Sequence, residues 1–598
     1  MLKKFFLNFL SSFVGAWVAL VLFIAVAVFV GIGIVAKLGV SAASKTGSSI
    51  SSHSVLTLDL SGTIAEIEEA TNFDYMTLLQ GRMERPQTLN SMVMALREAK
   101  VNKSIDGLYI KCNGAVASPA TLNALREAVV DFKLSGKPVY AYGDVIGMGD
   151  LFVASCADSI FVNPGGEVHV NGINGTVMYM KNLFDKIGVT FQVVKVGTFK
   201  SAVEPYILNE MSGPARAQLD TLYGNMWNYI AADLCAKSKG LTRERLDSLV
   251  GKEFISYAPV QLAVQNHLVD ATAYERIMDD KVAAAIGVKK KKLKYVGVDR
   301  MVSQTNWGAA YGSDDQIAVL YATGEIVDGG RGGINFERLV PQIVELADND
   351  DVKAMVLRVN SPGGSAFGSE QIGEALDYFQ SKGKILAVSM GDYAASGGYW
   401  ISCGADRIFA DPLTITGSIG IFGLLPNIEN LLSKIGVSPQ VVGTSPQADF
   451  PTLFHNMTPA QRDAMQAYVE RGYDKFVGRV AKGRKMSRER VLAIAEGRVW
   501  DAQSAKRIGL VDELGSLQQA IEWVADQSDM GKNYDVALYP RLEQTIWNFL
   551  PSEGDMFGMK LMQQLAPGDM GVDEMAATAA LLNQKPMRAS MAPMRVRL

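Results

Sequence analysis

The 598-residue chain is poor in the side chains that most often build metal centres and catalytic triads. It has only four cysteines and no CxxC pair, so the pattern favours small buried thiols over a metal or redox site. Its four histidines lie far apart and match no HExxH pattern. The sequence therefore predicts neither a metal nor another cofactor.

Neither positive nor negative charge is in large excess, and long apolar runs are scarce. The net charge of −4 gives no reason to expect a nucleic-acid partner. A single run, from Phe13 to Ala36, carries no charge and has about the length that spans a bilayer. It exceeds the apolar core of roughly 7–15 residues of a secretory signal peptide, so we expect a retained membrane anchor within residues 1–45. The lysines on either side of this run only slightly favour an orientation with the N-terminus on the cytoplasmic side of the membrane.

The rest of the chain is an internal repeat. The segment GDVIGMGDLFVASCAD at 143–158 aligns without a gap to GDYAASGGYWISCGAD at 391–406. Further matches precede and follow these segments, so that each copy covers about one domain. Short apolar runs alternate with amphipathic stretches in both copies, a pattern typical of an α/β fold rich in parallel sheet.

These patterns predict a division of the chain after the anchor. The predicted parts are a first repeat at 53–288, a basic and polar linker at 289–314, a second repeat at 315–527, and a Met-rich tail at 528–598. The role of the tail stays open.

The two copies differ where chemistry would be expected. Ser396 in the second copy aligns with Met148 in the first. The second copy has NSPGGS at 360–365, where the first has Val116 and Ala117 in place of the two glycines. A strand that ends in Asn-Ser-Pro-Gly-Gly exposes backbone amides, and such amides can stabilise an oxyanion. Only the second copy therefore carries a candidate nucleophile and oxyanion hole.

A group that activates the serine is harder to find. His455 is the only histidine of the second copy, and Ala394 replaces the first glycine of a G-x-S-x-G elbow. Lys200 follows a predicted strand of the first copy and has no lysine counterpart in the second. Its spacing alone favours an ordinary surface lysine, because a lysine acts as a base only where its pKa is lowered. A Ser-Lys dyad is the remaining reasonable arrangement.

Several motifs together resemble a known family, the long duplicated form of signal peptide peptidase A, also called protease IV. They are the tandem repeat itself and NSPGGS, MGDYAASGGYWISCGADRIFA, LTITGSIGIFG and GTFKSAVEP. The resemblance runs from the anchor to about residue 525. It implies two ClpP/crotonase-like domains after one N-terminal transmembrane helix. It further implies a bacterial inner-membrane protein, mostly periplasmic, that forms a homo-oligomer, expected to be a tetramer, and degrades cleaved signal peptides and other apolar peptides.

The resemblance also assigns site residues. The nucleophile falls on Ser396 and the general base on Lys200, while Ser418 is expected to hydrogen-bond the lysine. The oxyanion amides would be those of Gly364 and Gly397. The sequence shows no departure at these positions, and it leaves open whether the dyad forms within one chain or between chains.

Two other functions remain as alternatives at this stage. A crotonase-like acyl-CoA enzyme would use the amides of NSPGG to polarise a thioester, although the anchor and AASGG count against it. A non-enzymatic membrane scaffold would explain Met148, although the retained Ser396 and Lys200 count against that function.

Overall fold

The computed structural model describes residues 50–67, 87–237, 240–302, 313–330, 332–540 and a short strand at 589–590. The predicted transmembrane span at 13–36 and most of the predicted tail lie outside the described residues. Within the described ranges, no helix combines the length and apolar character that crossing a bilayer requires.

Strands and helices alternate along both halves of the chain, as the sequence pattern predicts. The strands of the first half are β1 (Ser54–Thr63), β2 (Ile105–Val116), β3 (Val139–Ile146), β4 (Ser159–Val168), β5 (Thr190–Val196), β6 (Ala271–Thr272) and β7 (Lys294–Gly297). Its α-helices are Leu89–Val101, Pro119–Lys133, Met148–Ala154, Lys181–Ile187, Glu204–Ile207, Gly213–Lys237, Arg243–Gly251, Val260–Gln265, Met278–Ala285 and Val298–Val302.

The second half repeats this alternation. Its strands are β8 (Gln316–Thr323), β9 (Ile326–Val327), β10 (Ile334–Asn335), β11 (Val352–Ser361), β12 (Gly363–Gly364), β13 (Ile385–Ala395), β14 (Arg407–Ala410), β15 (Ile415–Gly417), β16 (Ile421–Asn427), β17 (Val499–Asp501), β18 (Glu513–Leu514), β19 (Asp535–Tyr539) and β20 (Ala589–Ser590). Its α-helices are Phe336–Asp348, Ala366–Ser381, Gly397–Ser402, Glu429–Lys434, Pro459–Gly483, Arg488–Ile494, Ala502–Ile508 and Leu517–Gln527.

Each half builds a largely parallel sheet. The first has the strand order β6-β4-β3-β2-β1-β7 and is parallel throughout. The second has the order β17-β15-β13-β11-β8-β19, with only β17 antiparallel. Their central strands are nearly continuous apolar runs, because parallel strands are covered by other elements on both faces. The mixed α/β class predicted from the sequence is confirmed.

The two sheets extend past the predicted repeat boundaries. Residues 294–297 of the predicted linker form β7, which pairs with β1 at the edge of the first sheet. Residues 535–539 of the predicted tail form β19, which pairs with β8 in the corresponding place. Neither strand belongs to the duplicated motifs, so internal alignment gave no signal for them.

A small antiparallel sheet joins the halves. β5 of the first half pairs with β16 of the second along its whole length, from Val196 opposite Ile421 to Thr190 opposite Asn427. Because of this pairing, the segment that follows β5 lies beside the end of β13 in the second half. The candidate site described below lies where these two segments meet.

Candidate active site

Ser396 lies at the sharp turn from β13 into the helix Gly397–Ser402. Its backbone has φ of 56°, an uncommon conformation for a residue other than glycine, and its amide donates to the Gly417 carbonyl at 2.8 Å. Crowding explains the glycines that follow. A Cβ on Gly397 would lie 2.5 Å from Ser369 Oγ, and one on Gly398 would lie 2.6 Å from the Ser361 carbonyl oxygen. The SGG sequence is therefore required by packing around a strained, buried serine.

Lys200 reaches this serine from the other repeat. It follows β5, in line with the strand predicted from the sequence, and precedes a 3₁₀ turn at Ser201–Val203. The pairing of β5 with β16 directs the segment inward, so that the lysine is only 2% exposed. Its Nζ lies 3.0 Å from Ser396 Oγ. The contact forms within a single chain.

The surroundings of Lys200 favour a neutral amine. Burial lowers the pKa of Lys200 from 10.5 to about 7, because the charged form loses hydration. Its described polar partners are uncharged: Nζ donates to Ser418 Oγ at 3.0 Å and to the Ser418 carbonyl at 3.2 Å. A primary amine whose pKa lies near 7 and that contacts a hydroxyl is suited to act as a general base at physiological pH.

Ser418 connects the lysine to the loop beneath it. Its φ is 53°, and its amide donates to the Arg498 carbonyl at 2.7 Å. Its hydroxyl lies 3.4 Å from the Gly497 carbonyl oxygen, which it meets as a donor. The hydroxyl can therefore donate to this carbonyl while it accepts from Lys200, and this fixes the orientation of the Nζ group.

The glycine pair of NSPGGS lies against the nucleophile. Gly363 and Gly364 have φ of 106° and 150°, conformations that side chains rarely adopt. A Cβ on Gly363 would lie 2.7 Å from Ser396 Cβ and 2.8 Å from the Gly397 nitrogen. A Cβ on Gly364 would lie 2.0 Å from the Ile326 carbonyl oxygen. The structure thus places Gly363 directly against Ser396 and the predicted oxyanion glycine Gly397, and the other predicted oxyanion glycine, Gly364, is the next residue along the chain.

Sequence reasoning missed the loop that holds the lysine. The Glu496 carbonyl accepts from Phe199 N at 2.9 Å, and its carboxylate accepts from the amide and hydroxyl of Thr198 at 3.0 Å each. Gly497, with φ of 72°, lies against Lys200, since a Cβ there would be 2.7 Å from the lysine Cβ. No local pattern marks this loop, because its need for glycine comes from the other repeat.

The corresponding place in the first repeat is filled. Met148 is buried at 4% exposure. Asp150 aligns with Gly398, and its carboxylate accepts from the amides of Gly114 and Ala115 at 2.9 and 3.1 Å. Burial raises the pKa of Asp150 to about 6. In this repeat the Asp150 carboxylate is therefore the hydrogen-bond acceptor for two backbone amides near the end of β2.

The residues together can perform acyl transfer. A hydroxyl and an amine of lowered pKa are in contact, and glycine backbone lies next to the hydroxyl, which are the groups that attack on a carbonyl requires. Within the described ranges, no group of three or more His, Cys, Asp or Glu side chains is arranged to hold a metal ion.

A protein-family model matches both repeats. The model for "Peptidase family S49" matches residues 131–289 and 378–531, which include Lys200 in the first range and Ser396 in the second.

Curated relatives share most of the chain. Protease 4 of Haemophilus influenzae is 35% identical over 503 residues, which cover 81% of this chain and 81% of that protein. Protease 4 of Salmonella typhi is 36% identical, covering 79% and 78%. The chloroplastic serine protease SPPA of Arabidopsis thaliana is 25% identical, covering 81% and 71%. Among solved structures, a ClpP1 mutant from Listeria monocytogenes gives a TM-score of 0.24 at 15% identity, covering 34% of this chain and 94% of that one.

Proposed function

The chain belongs to peptidase family S49 and is a serine protease, and we propose that it cleaves peptides with a Ser396–Lys200 dyad. The observation that carries the proposal is the 3.0 Å contact between Lys200 Nζ and Ser396 Oγ. The lowered pKa of Lys200, at about 7, supports its role as the base.

The proposed mechanism is acyl transfer through an ester. Neutral Lys200 accepts the hydroxyl proton while Ser396 Oγ attacks the scissile carbonyl carbon. The amides of Gly364 and Gly397 donate to the oxyanion. The lysine then gives its proton to the leaving amine, and the C–N bond breaks. Lys200 next deprotonates a water that hydrolyses the ester and frees the serine.

We propose that substrates bind as extended, apolar peptides such as released signal peptides. β20, a strand of the chain itself, pairs antiparallel with Gly363 and Gly364 beside the nucleophile. This pairing supports an edge that accepts peptide backbone by strand addition. Phe422, whose ring centroid lies 6.0 Å from Lys200 Nζ, gives the site an apolar wall.

The anchor and its location remain proposals from the sequence. We propose that the span at 13–36 crosses the bacterial inner membrane once and that the bulk of the chain lies on the periplasmic side. Leader peptides left in the membrane after export would then be within reach of the site.

We also propose a homo-oligomer, with a tetramer as the expected form. Residues 186–194, KIGVTFQVV, match 434–442, KIGVSPQVV, yet only the first copy forms the strand β5 that pairs across the repeats. In the second copy Val442 is 100% exposed. The first-copy counterpart of β16 is 173–179, where Met178 is exposed. Pairing of 438–442 with 173–179 of another copy would repeat the internal junction and close a ring.

The resemblance also implies a ClpP/crotonase-like fold for each repeat, which the two parallel sheets support. The burial of Lys200 and its contact with Ser396 count against the alternatives of an acyl-CoA enzyme and a scaffold. Burying a lysine is costly, and neither alternative uses a neutral amine in contact with a serine.

Serine-directed fluorophosphonate labelling tests the nucleophile. We expect labelling of the purified protein and hydrolysis of an apolar leader peptide, with both lost in Ser396→Ala. The matched control is Ser381→Ala, since Ser381 is an exposed helical serine whose hydroxyl bonds only the Tyr378 carbonyl among the described residues. Equal labelling of wild type and Ser396→Ala would contradict the assignment. Turnover of an acyl-CoA thioester without peptide cleavage would favour the crotonase alternative.

A further inference from the structure

A chain of buried polar groups crosses the boundary between the repeats beside the site. Arg358 of β11 forms a paired contact with Glu66 of the first repeat, with Nε to Oε1 at 2.8 Å and Nη2 to Oε2 at 3.3 Å. Both side chains are buried. This pair lies two residues before Asn360, where NSPGGS begins.

Asp392 is one of the residues through which the two repeats contact each other. Its carboxylate accepts from the amide and hydroxyl of Thr121 at 2.9 and 2.8 Å. It also accepts from Asn360 Nδ2 at 3.0 Å. Asn360 Oδ1 accepts in turn from Tyr393 N at 3.1 Å. These bonds join the end of β11, the end of β13 and the first turn of the helix Pro119–Lys133.

The backbone ladder is interrupted at this place. β11 and β13 pair regularly up to Val359 opposite Met390, and the next pair is Ser361 opposite Ala394. Three residues of β13 thus face a single residue of β11, Asn360. Regular sheet bonds cannot set the spacing of the strands there. The side-chain bonds of Asp392 and Asn360 act in their place, just before the strands deliver Gly363 and Ser396 to the site.

The first repeat has the same residue types without the same bonds. Asp144 aligns with Asp392 but is exposed and accepts from Tyr142 and Asn163 of its own repeat. Asn113 aligns with Asn360 but bonds Asp59 at an exposed position. A repeat therefore folds without this arrangement, and the copy that has it is the copy that carries the serine.

We propose that Asp392 and Thr121 are positioning residues for the peptidase reaction. Through Asp392, the first repeat holds the two strand ends at the spacing that lets Ser396 and the Gly364 amide act on the same carbonyl. The first repeat would thus contribute the base and also the alignment of the oxyanion hole. This inference rests on the proposed function of Ser396.

The test removes one hydroxyl and counts active sites. Thr121→Val keeps the shape and the amide of Thr121 but loses the bond at 2.8 Å, and Thr121→Ser restores it. Asp392→Asn keeps the shape and weakens the acceptor. Titration with the fluorophosphonate probe gives kcat per labelled site, so loss of folded molecules is separated from slower turnover. We expect kcat per site to fall about tenfold or more in Thr121→Val and Asp392→Asn, with little change in KM and recovery in Thr121→Ser.

Each outcome bears on a different claim. Unchanged kcat per site in folded Thr121→Val and Asp392→Asn would overturn the inference, and so would a loss that appears only as fewer labelled sites. If Thr121→Val fails to fold, Asp392→Asn decides, and failure of both to fold assigns the contacts to stability alone. A wild-type protein that neither labels nor cleaves peptide would instead refute the proposed function.

Discussion

Met148 and Ser396 occupy the same turn in the two repeats, and both side chains are buried. In the second repeat Gly363 packs directly against the turn, and neither Gly363 nor Gly364 has room for a side chain. In the first repeat the carboxylate of Asp150 bonds the strand-end amides. The same backbone frame therefore carries two different sets of residues at this turn.

The first repeat compensates by supplying parts to the second. Lys200 enters on the segment after β5, and its counterpart in the second repeat lies in an exposed region that forms no strand. Each copy thus contributes one residue of the proposed dyad. The asymmetry suggests experiments that exchange features between the copies.

The largest effect is expected from giving the second repeat the residue of the first at the glycine pair. Gly363→Val copies Val116, and its Cβ would lie 2.7 Å from Ser396 Cβ. We expect kcat/KM to fall about a hundredfold or more, because the nucleophile must move. The control is Gly478→Ala, since Gly478 has open space around its Cβ position within a helix. Full activity in Gly363→Val would show that the glycine is not needed for the site.

The pH profile tests whether the lysine acts as a neutral base. Because burial places the pKa of Lys200 at about 7, activity should rise with pH through that value and level off above it. Below it, log kcat/KM should fall with a slope near one, about tenfold per pH unit. A profile that stays flat down to pH 5 would contradict the role of Lys200.

The stability of the fold should depend on the same lysine with a predictable sign. The folded-state pKa lies below the unfolded value of 10.5, so the unfolded chain binds an extra proton between about pH 7 and 10.5. Lys200 then costs most stability below pH 7, and this cost disappears as the pH rises through 10.5. We expect Lys200→Met to abolish activity yet raise the free energy of unfolding by a few kcal/mol at pH 6. Urea unfolding at pH 6 and pH 10 measures this, and a larger gain at pH 10 would refute the linkage.

The smallest effect is expected from restoring a serine to the first repeat. Met148→Ser in the Ser396→Ala background should gain no labelling, because Val116 and Ala117 stand in place of the glycine pair and no lysine follows 442–450 as Lys200 follows β5. Fluorophosphonate labelling of the double variant measures this. Labelling at position 148 would mean that the serine alone makes the site.

Much of the site was predictable because duplication supplies an internal comparison. Contrasting Ser396 with Met148, and Gly363 and Gly364 with Val116 and Ala117, predicts a candidate nucleophile and a glycine pair, which the structure brings into contact. The helix and strand alternation followed from apolar periodicity. The Lys200 assignment depended on resemblance, since nothing in its local sequence separates it from a surface lysine.

The sequence by itself determined the mixed α/β class, the duplication and the copy that carries the serine. Each of these features depends on residues that are near one another in the sequence, because apolar periodicity and the steric freedom of glycine are local properties of the chain. Only the tertiary structure decided that Lys200 is buried 3.0 Å from Ser396, that Gly497 supports it, and that Asp392 bonds Thr121 across the repeats. These contacts join residues about 200 to 300 positions apart, and burial, which lowers the pKa of the lysine, exists only once β5 and β16 have paired.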